Sequence, residues 1–487
     1  MATDDGYAIP TAVSILSIEQ STAGEKVILV LYPNTDKNRL SEVNIRAFRG
    51  LTNENTQVVP VKIDDKYMKK AEEYATSWNI LVQVRIFYQE IMNELSQNEE
   101  FMENIGIEVG IKYFLHIDSD TLIVRDLFSI FDLFNAIHLS DEPPVLAGTN
   151  LHYISPYNLD ANEKISGVSG GVVLWLLQLM NEREINVDQK AAEVKSSMEV
   201  YCPNFYGNDI MFMMWKILCN NTSLRNEISA EELINLKNDP KEWPSEWSED
   251  KTNFMRAFHE LRTYFPSVAS NREAMEECVK YLIEESSESG NKTSRMKFAR
   301  GMPIKPFVNS PTEEEIFDRL PHHYITNRFN FIVKWIFPQL DKTPKDEFLV
   351  ISLMYPSIKS YGDLFKAVCE RDPQIVPDID TEFKNMVVMH FDMCYKPWDN
   401  EFAELAEGNP ELYKIIYVFL SYVTRLFDFE NIDDWKEKLS TTLNTAKAQE
   451  VIDKLRGEIE EMKIWEGEIG KKVLEILSGM SYSLNKE

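Results

Sequence analysis

The sequence predicts an α/β fold. It places a sheet-and-helix core over residues 1–225, a large, mostly helical insertion over 226–385, a short return to the core at 386–400 and a helical region over 401–487. Three observations carry this. Up to about residue 225, β-rich runs alternate with stretches of helical spacing, the pattern of an α/β protein with a largely parallel sheet. Beyond it, Trp and Pro breaks ("DPKEWPSEWSED") separate helical patches such as "REAMEECVKYLIEE". After residue 400 the chain turns helical and acidic, with Ile452, Leu455, Ile459, Met462, Ile469, Val473 and Ile476 mostly at the 3–4 spacing of an amphipathic stripe.

In order along the core, "KVILVLY" reads as a strand, "VRIFYQEIMNEL" as a helix and "IKYFLHI" as a strand again. The apolar stripe near the end predicts a helix packed on the core, with a self-association face as the alternative, and Gly457, Gly467 and Gly470 argue against an uninterrupted coiled coil. In the insertion, Lys292, Arg295, Lys297, Arg300 and Lys305 form a basic cluster in an acidic protein. It reads as a solvated loop, with a lid over an anionic ligand as the alternative.

Composition excludes several classes. A formal charge of −28 over 487 residues argues against nucleic acid and anionic membranes, which reward an excess of Lys and Arg. No apolar run approaches the ~18 residues of a membrane span, and no signal-peptide pattern opens the chain. Five scattered cysteines (Cys202, Cys219, Cys278, Cys369 and Cys394) show no C-x-x-C spacing, which fits a reduced, cytoplasmic setting. The sequons at Asn220, Asn221 and Asn291 would matter in a secretory lumen, if an upstream segment directed the chain there.

The chemistry concentrates in "KYFLHIDSDTLIVRDLF", where an apolar strand runs into Asp118 and Asp120. Residues two apart share a side of an extended chain, so the two carboxylates converge if the extension continues through Ser119. Paired carboxylates repel unless a cation joins them, and hard oxygen ligands suit Mg²⁺ or Mn²⁺. The chain contains its own control: Asp378 and Asp380 repeat the D-x-D spacing in "PQIVPDIDTEF", beside a proline and without a strand before them. In "MVVMHFDMCYKPWD" a second apolar strand ends at His390, a suitable third ligand for Mn²⁺, and Lys396 follows six residues later with a charge that can neutralise a diphosphate.

With those residues in view, the chain resembles the retaining glycosyltransferases of family eight, which include glycogenin and the bacterial lipopolysaccharide galactosyltransferases. Four blocks carry the resemblance: "ATDDGYAIPTAVSIL", "FLHIDSDTLIVRDL", "GVSGGVVLWLL" and "VVMHFDMCYKPW". The last matches the family's H-F-x-G-x-x-K-P-W pattern at His390, Phe391, Lys396, Pro397 and Trp398. The resemblance implies a GT-A fold, a Rossmann-like mixed sheet with the helical insertion and C-terminal region added to it. It implies a metal, Mn²⁺ or else Mg²⁺, on Asp118, Asp120 and His390, with Lys396 on the diphosphate. Tyr7 would stack on the base, Thr3 and Asp4 would line its edge, and Arg85, Ser119 and Ser169 would complete the nucleotide-sugar site. Asn208 and Asp209 of "GNDIM" stand where the family has a catalytic Asp-Gln pair.

The implied activity is transfer of a hexose or pentose from a UDP-sugar to an acceptor hydroxyl of a glycan, protein or small molecule, with the anomeric configuration retained. The alternative is a catalytically weak nucleotide-sugar-binding scaffold acting through its helical regions. It is motivated by Ser169 and Gly170 where the family has Asn and a small residue, and by Met393 in place of the glycine. The family's first strand is nearly absent, since only Met1 and Ala2 precede Thr3, so the chain is expected to begin late.

Overall fold

The computed structural model describes residues 1–35, 38–74, 80–108, 110–131, 144–150, 168–193, 214, 217–218, 221–237, 239–264, 276, 279, 282–283, 320–325, 327–333, 336–340, 363, 383, 385–392, 394–406 and 409–426. Within them, "KVILVLY" forms β1 (Lys26–Tyr32), which pairs in parallel with β2 (Thr56–Lys62). Along the other edge of β1, Leu31 N donates to Met1 O and Thr3 N donates to Leu31 O, so the first three residues run parallel to β1. They make an isolated parallel bridge at Ala2 and Leu31.

A second sheet has the order β3 (Phe114–Ile117), β6 (Val168–Trp175), β5 (Leu146–Asn150), β7 (His322–Ile325). A third has the order β4 (Thr121–Ile123), β9 (Val388–His390), β8 (Phe331–Ile332). The fold is mixed α/β, and the expectation of a largely parallel sheet is corrected. Besides β1·β2, the pairs β5·β7 and β8·β9 are parallel, whereas β3·β6, β5·β6 and β4·β9 are antiparallel. The reason is physical: all of β6 is buried, and a strand covered on both faces reads as a continuous apolar run whichever way its neighbours point.

Strand alternation in β6 sends Val172 and Leu174 into one core and Val173 and Trp175 into another. The first core includes helix α1 (Ala8–Ser21), β4, β9 and the helix Pro410–Leu426. The second gathers Tyr67, Phe87 and Tyr88, with Phe114 stacked on Trp175 at 5.5 Å. Arg425 ties the helix Pro410–Leu426 to α1 through Gln20 at 2.5 Å and Glu19 at 3.4 Å. The stripe from Ile452 to Ile476 and the basic cluster from Lys292 to Lys305 lie outside the described residues. So do Asn208, Asp209, Met393, Asp378 and Asp380.

The span expected to form the insertion contributes β7 and β8 to the sheets, together with the helices Ala230–Ile234 and Glu249–Tyr264. Ser229 begins the first of these helices with a capping box to Glu232. Among the described residues no helix is long and apolar enough to cross a membrane.

Candidate metal centre

Asp118 directly follows β3 and Asp120 directly precedes β4, so the two carboxylates sit where the chain leaves one sheet for another. The expected extended path through Ser119 is not what joins them. Residues 119–120 form a turn, because each end is bonded to a different sheet. Asp118 N donates to Gly171 O at 2.9 Å, and Phe391 N donates to Asp120 O at 3.0 Å. Thr121 Oγ1 donates to Asp118 O at 2.8 Å and closes the turn. Beneath it, α1 is stitched to β4: Ser17 Oγ accepts from Ile123 N at 2.9 Å, Ser21 Oγ donates to Ile123 O at 2.8 Å, and the Ser14 and Thr121 hydroxyls lie 3.0 Å apart.

His390, the last residue of β9, faces this turn. Its Nε2 lies 3.3 Å from Asp120 Oδ1 and 3.7 Å from Asp118 Oδ2. One ligand atom from each of Asp118, Asp120 and His390 falls within 4.8 Å of the others. The outer oxygens are already occupied: Asp118 Oδ1 accepts from Arg85 Nη2 at 2.5 Å and sits 3.1 Å from His116 Nε2, and Asp120 Oδ2 is paired with Lys396 Nζ. Each carboxylate therefore has one oxygen held by a cation or imidazole and one turned toward His390.

The other side of the imidazole matches this. His390 Nδ1 lies 2.7 Å from Asn330 Oδ1, an acceptor, so Nδ1 carries a proton and, in the neutral ring, the lone pair is on Nε2. Two carboxylate oxygens and one imidazole nitrogen, inward-facing and only partly exposed, fit a divalent cation.

The charges agree with the contacts. Burial alone would raise the Asp118 carboxyl, but Arg85, then His116 and His390, hold it below the usual range. Burial likewise opposes ionisation of Asp120, and Lys396 and His390 more than reverse it. The same pairs raise His390 and Lys396 against their own burial. His116, by contrast, is pushed down to about 4, mainly by burial, and is a neutral hydrogen-bonding group.

The remaining predicted residues fall around this centre in different roles. Tyr7 is 40% exposed and meets Trp398 edge-to-face at 6.3 Å. Asp4 Oδ1 accepts from Gly6 N and Tyr7 N at the start of α1. The Thr3 side chain is buried, its hydroxyl accepting from Thr11 Oγ1 at 2.8 Å. Ser119 Oγ donates to Ala2 O at 2.7 Å, and Ser169 Oγ accepts from Asn330 Nδ2 at 2.7 Å. These contacts turn both hydroxyls into the scaffold. Lys396 Nζ also donates to Phe391 O.

Three site residues escaped the sequence reading. His116 had a usable signal, since two residues before Asp118 on a strand is the same side. Gly171 had a weaker one, as half of a Gly-Gly pair within a strand, where glycine often marks a close approach. A Cβ there would stand 2.4 Å from His390 Cε1 and 3.2 Å from Asn330 Oδ1. Asn330 had none.

No family model matches the chain, and no curated protein matches it. Among solved structures it is similar to the galactosyltransferase LgtC in complex with donor and acceptor sugar analogues, at 12% identity over 84% of this chain and 94% of that one, TM-score 0.35. It is also similar to the bifunctional glycosyltransferase WbbM in its apo form, at 12% identity over 85% of this chain and 50% of that one, TM-score 0.36. A third is mouse xyloside xylosyltransferase 1 in its apo form, at 15% identity over 38% of this chain and 70% of that one, TM-score 0.27. At these scores the functional reading rests on the side chains themselves.

Proposed function

We propose that the protein is a retaining glycosyltransferase that moves a hexose or pentose from a UDP-sugar to an acceptor hydroxyl. The observation that carries this reading is the pair of aspartates with one oxygen each tied back and one facing the Nε2 of His390. Asp118, Asp120 and His390 would hold Mn²⁺, or Mg²⁺ in its place. Bound there, the cation supplies Lewis-acid stabilisation of the charge that develops on a departing diphosphate.

The chain's own residues do the rest. Lys396 exchanges part of its contact with Asp120 for a diphosphate oxygen and stabilises the leaving group as the bond to the sugar breaks. Tyr7, exposed beside Trp398, offers its ring to the uracil. Arg85 holds Asp118 in place next to the donor, and the resemblance in sequence is what gives Asn208 and Asp209 a catalytic role. The acceptor oxygen attacks the anomeric carbon from the face the diphosphate leaves, and its proton passes to the departing phosphate oxygen, so configuration is retained without a separate base.

The test is release of UDP from a panel of UDP-sugars with and without Mn²⁺. Mn²⁺-dependent release, abolished by Asp120→Asn, is expected. A folded protein that neither binds UDP nor releases it from any donor would overturn the reading.

A further inference from the structure

Behind His390 lies a polar relay inside an apolar region. Asn330 is 1% exposed and Thr149 equally buried, while Ser169 and His390 are nearly so. Asn330 Oδ1 faces His390 Nδ1 at 2.7 Å, and its Nδ2 donates to Ser169 Oγ at 2.7 Å and Thr149 Oγ1 at 3.2 Å. Every polar atom of the amide is used. The three partners come from three strands, β5, β6 and β9, and Asn330 itself immediately precedes β8, so the amide sits where two sheets meet.

Buried polar groups that satisfy one another resist rearrangement, because breaking one contact leaves a group with no water to replace it. The imidazole also lies against the bare backbone of Gly171, with no room for a side chain between them. Ring position and ring tautomer are thus set by the same few atoms.

We propose that Asn330, held by Ser169 and Thr149, is a positioning residue that fixes the Nδ1–H tautomer of His390 and so keeps its Nε2 lone pair directed at the metal site. This rests on the metal assignment of the proposed function and reassigns Ser169 from sugar contact to support of the ligand. An outer partner of this kind contributes about 10–100-fold to metal affinity.

The experiment measures Mn²⁺ binding to the full-length protein without nucleotide, by titration calorimetry, for wild type, Asp120→Asn, Asn330→Leu, Asn330→Asp and Ser169→Ala. Leu keeps the shape of Asn and removes its acceptor; Asp keeps the acceptor. Asn330→Leu is expected to weaken Mn²⁺ by about 10–100-fold, and Asn330→Asp to stay near wild type. Ser169→Ala should weaken Mn²⁺ measurably without changing the preference among UDP-sugars.

In ¹⁵N-histidine-labelled wild type, the His390 resonances, assigned by loss in His390→Ala, should report protonation at Nδ1. This readout does not depend on Asn330→Leu folding. Protonation at Nε2 alone overturns the relay. Wild type that binds Mn²⁺, loses it in Asp120→Asn and keeps full affinity in Asn330→Leu overturns the relay and leaves the metal assignment standing. Wild type that binds no Mn²⁺ overturns both. Ser169→Ala with intact Mn²⁺ binding and altered donor preference returns Ser169 to the sugar.

Discussion

The two carboxylates of the centre are flanked by unlike neighbourhoods. Asp118 is held by Arg85 and His116, both supplied within the first 120 residues and both buried against the Tyr67–Trp175 core. Asp120 is held by Lys396 and faced by His390, both from a segment that returns to the centre much later in the chain. One flank has a planar guanidinium and a neutral imidazole, which orient; the other has an ammonium and a metal-competent imidazole, which can exchange partners. The difference teaches that the outer oxygen of Asp118 is held by groups from the early fold, and that of Asp120 by an ammonium able to change partners.

The largest effect should come from the shared side. Asp120→Asn removes a charged ligand with little change of shape, so Mn²⁺-dependent UDP release should fall by about 10³-fold or more, and metal-enhanced UDP binding should be lost. The same change in the other D-x-D pair, Asp380→Asn, should be nearly silent. Equal behaviour of the two variants in the release assay would remove the metal from this site.

Lys396→Met should lower turnover by ~10²–10³-fold while changing UDP affinity much less. The contrast sharpens with Arg85→Met, which leaves Asp118 buried without its guanidinium. That variant should lose ~3–5 kcal/mol of stability in urea unfolding. Were Arg85→Met as stable as wild type and Lys396→Met the one to unfold, the division of labour drawn here would be reversed.

Gly171→Ala forces a methyl against the His390 ring. A cost of about 1–3 kcal/mol in stability is expected, with weaker Mn²⁺ binding by calorimetry. Tyr7→Ala, which removes no ligand atom of the centre, should weaken UDP by about tenfold and leave Mn²⁺ binding by the free protein within a few-fold of wild type.

The smallest effect separates the flanks by pH. His390 is raised, so its charged form contributes stability on the acid side of its ordinary range, and that contribution is lost as pH rises through the folded value. Asp118 and Asp120 are lowered, so theirs is present above the ordinary carboxylate range and is lost as pH falls. Since Mn²⁺ needs the neutral imidazole, binding should release a proton and weaken on mild acidification. Calorimetry in buffers of different ionisation enthalpy measures this, and loss of that proton release in His390→Ala is the control.

Much of the architecture was legible from local pattern. "KVILVLY" is β1, and "VRIFYQEIMNEL" is the tight turn Val84–Phe87 continuing into the helix Tyr88–Gln97. Strand direction was not, because burial on both faces erases the alternation that distinguishes one neighbour from another. In the centre, Asp118, Asp120, His390 and Lys396 were legible because each stands at a fixed distance from the end of an apolar strand. Asn330 and Thr149 were not, since their meeting, 181 residues apart, is decided by how two sheets join. Ser169 was legible as a position and misleading as a role: its hydroxyl is turned inward by an amide that no local spacing could announce.

The bond between Asp120 and Lys396 spans 276 positions, and that separation matters while the protein is being made. At roughly 5–20 residues per second, a ribosome takes on the order of tens of seconds to supply the lysine after the aspartate has emerged. Throughout that interval β4 lacks the strand that will lie beside it, leaving an open edge able to recruit a neighbouring nascent chain. Asp118 already has Arg85, but Asp120, still without Lys396 and hydrated, would guard that edge by repulsion until β9 arrives. The charge that later pairs with Lys396 would thus first serve to keep unfinished copies apart.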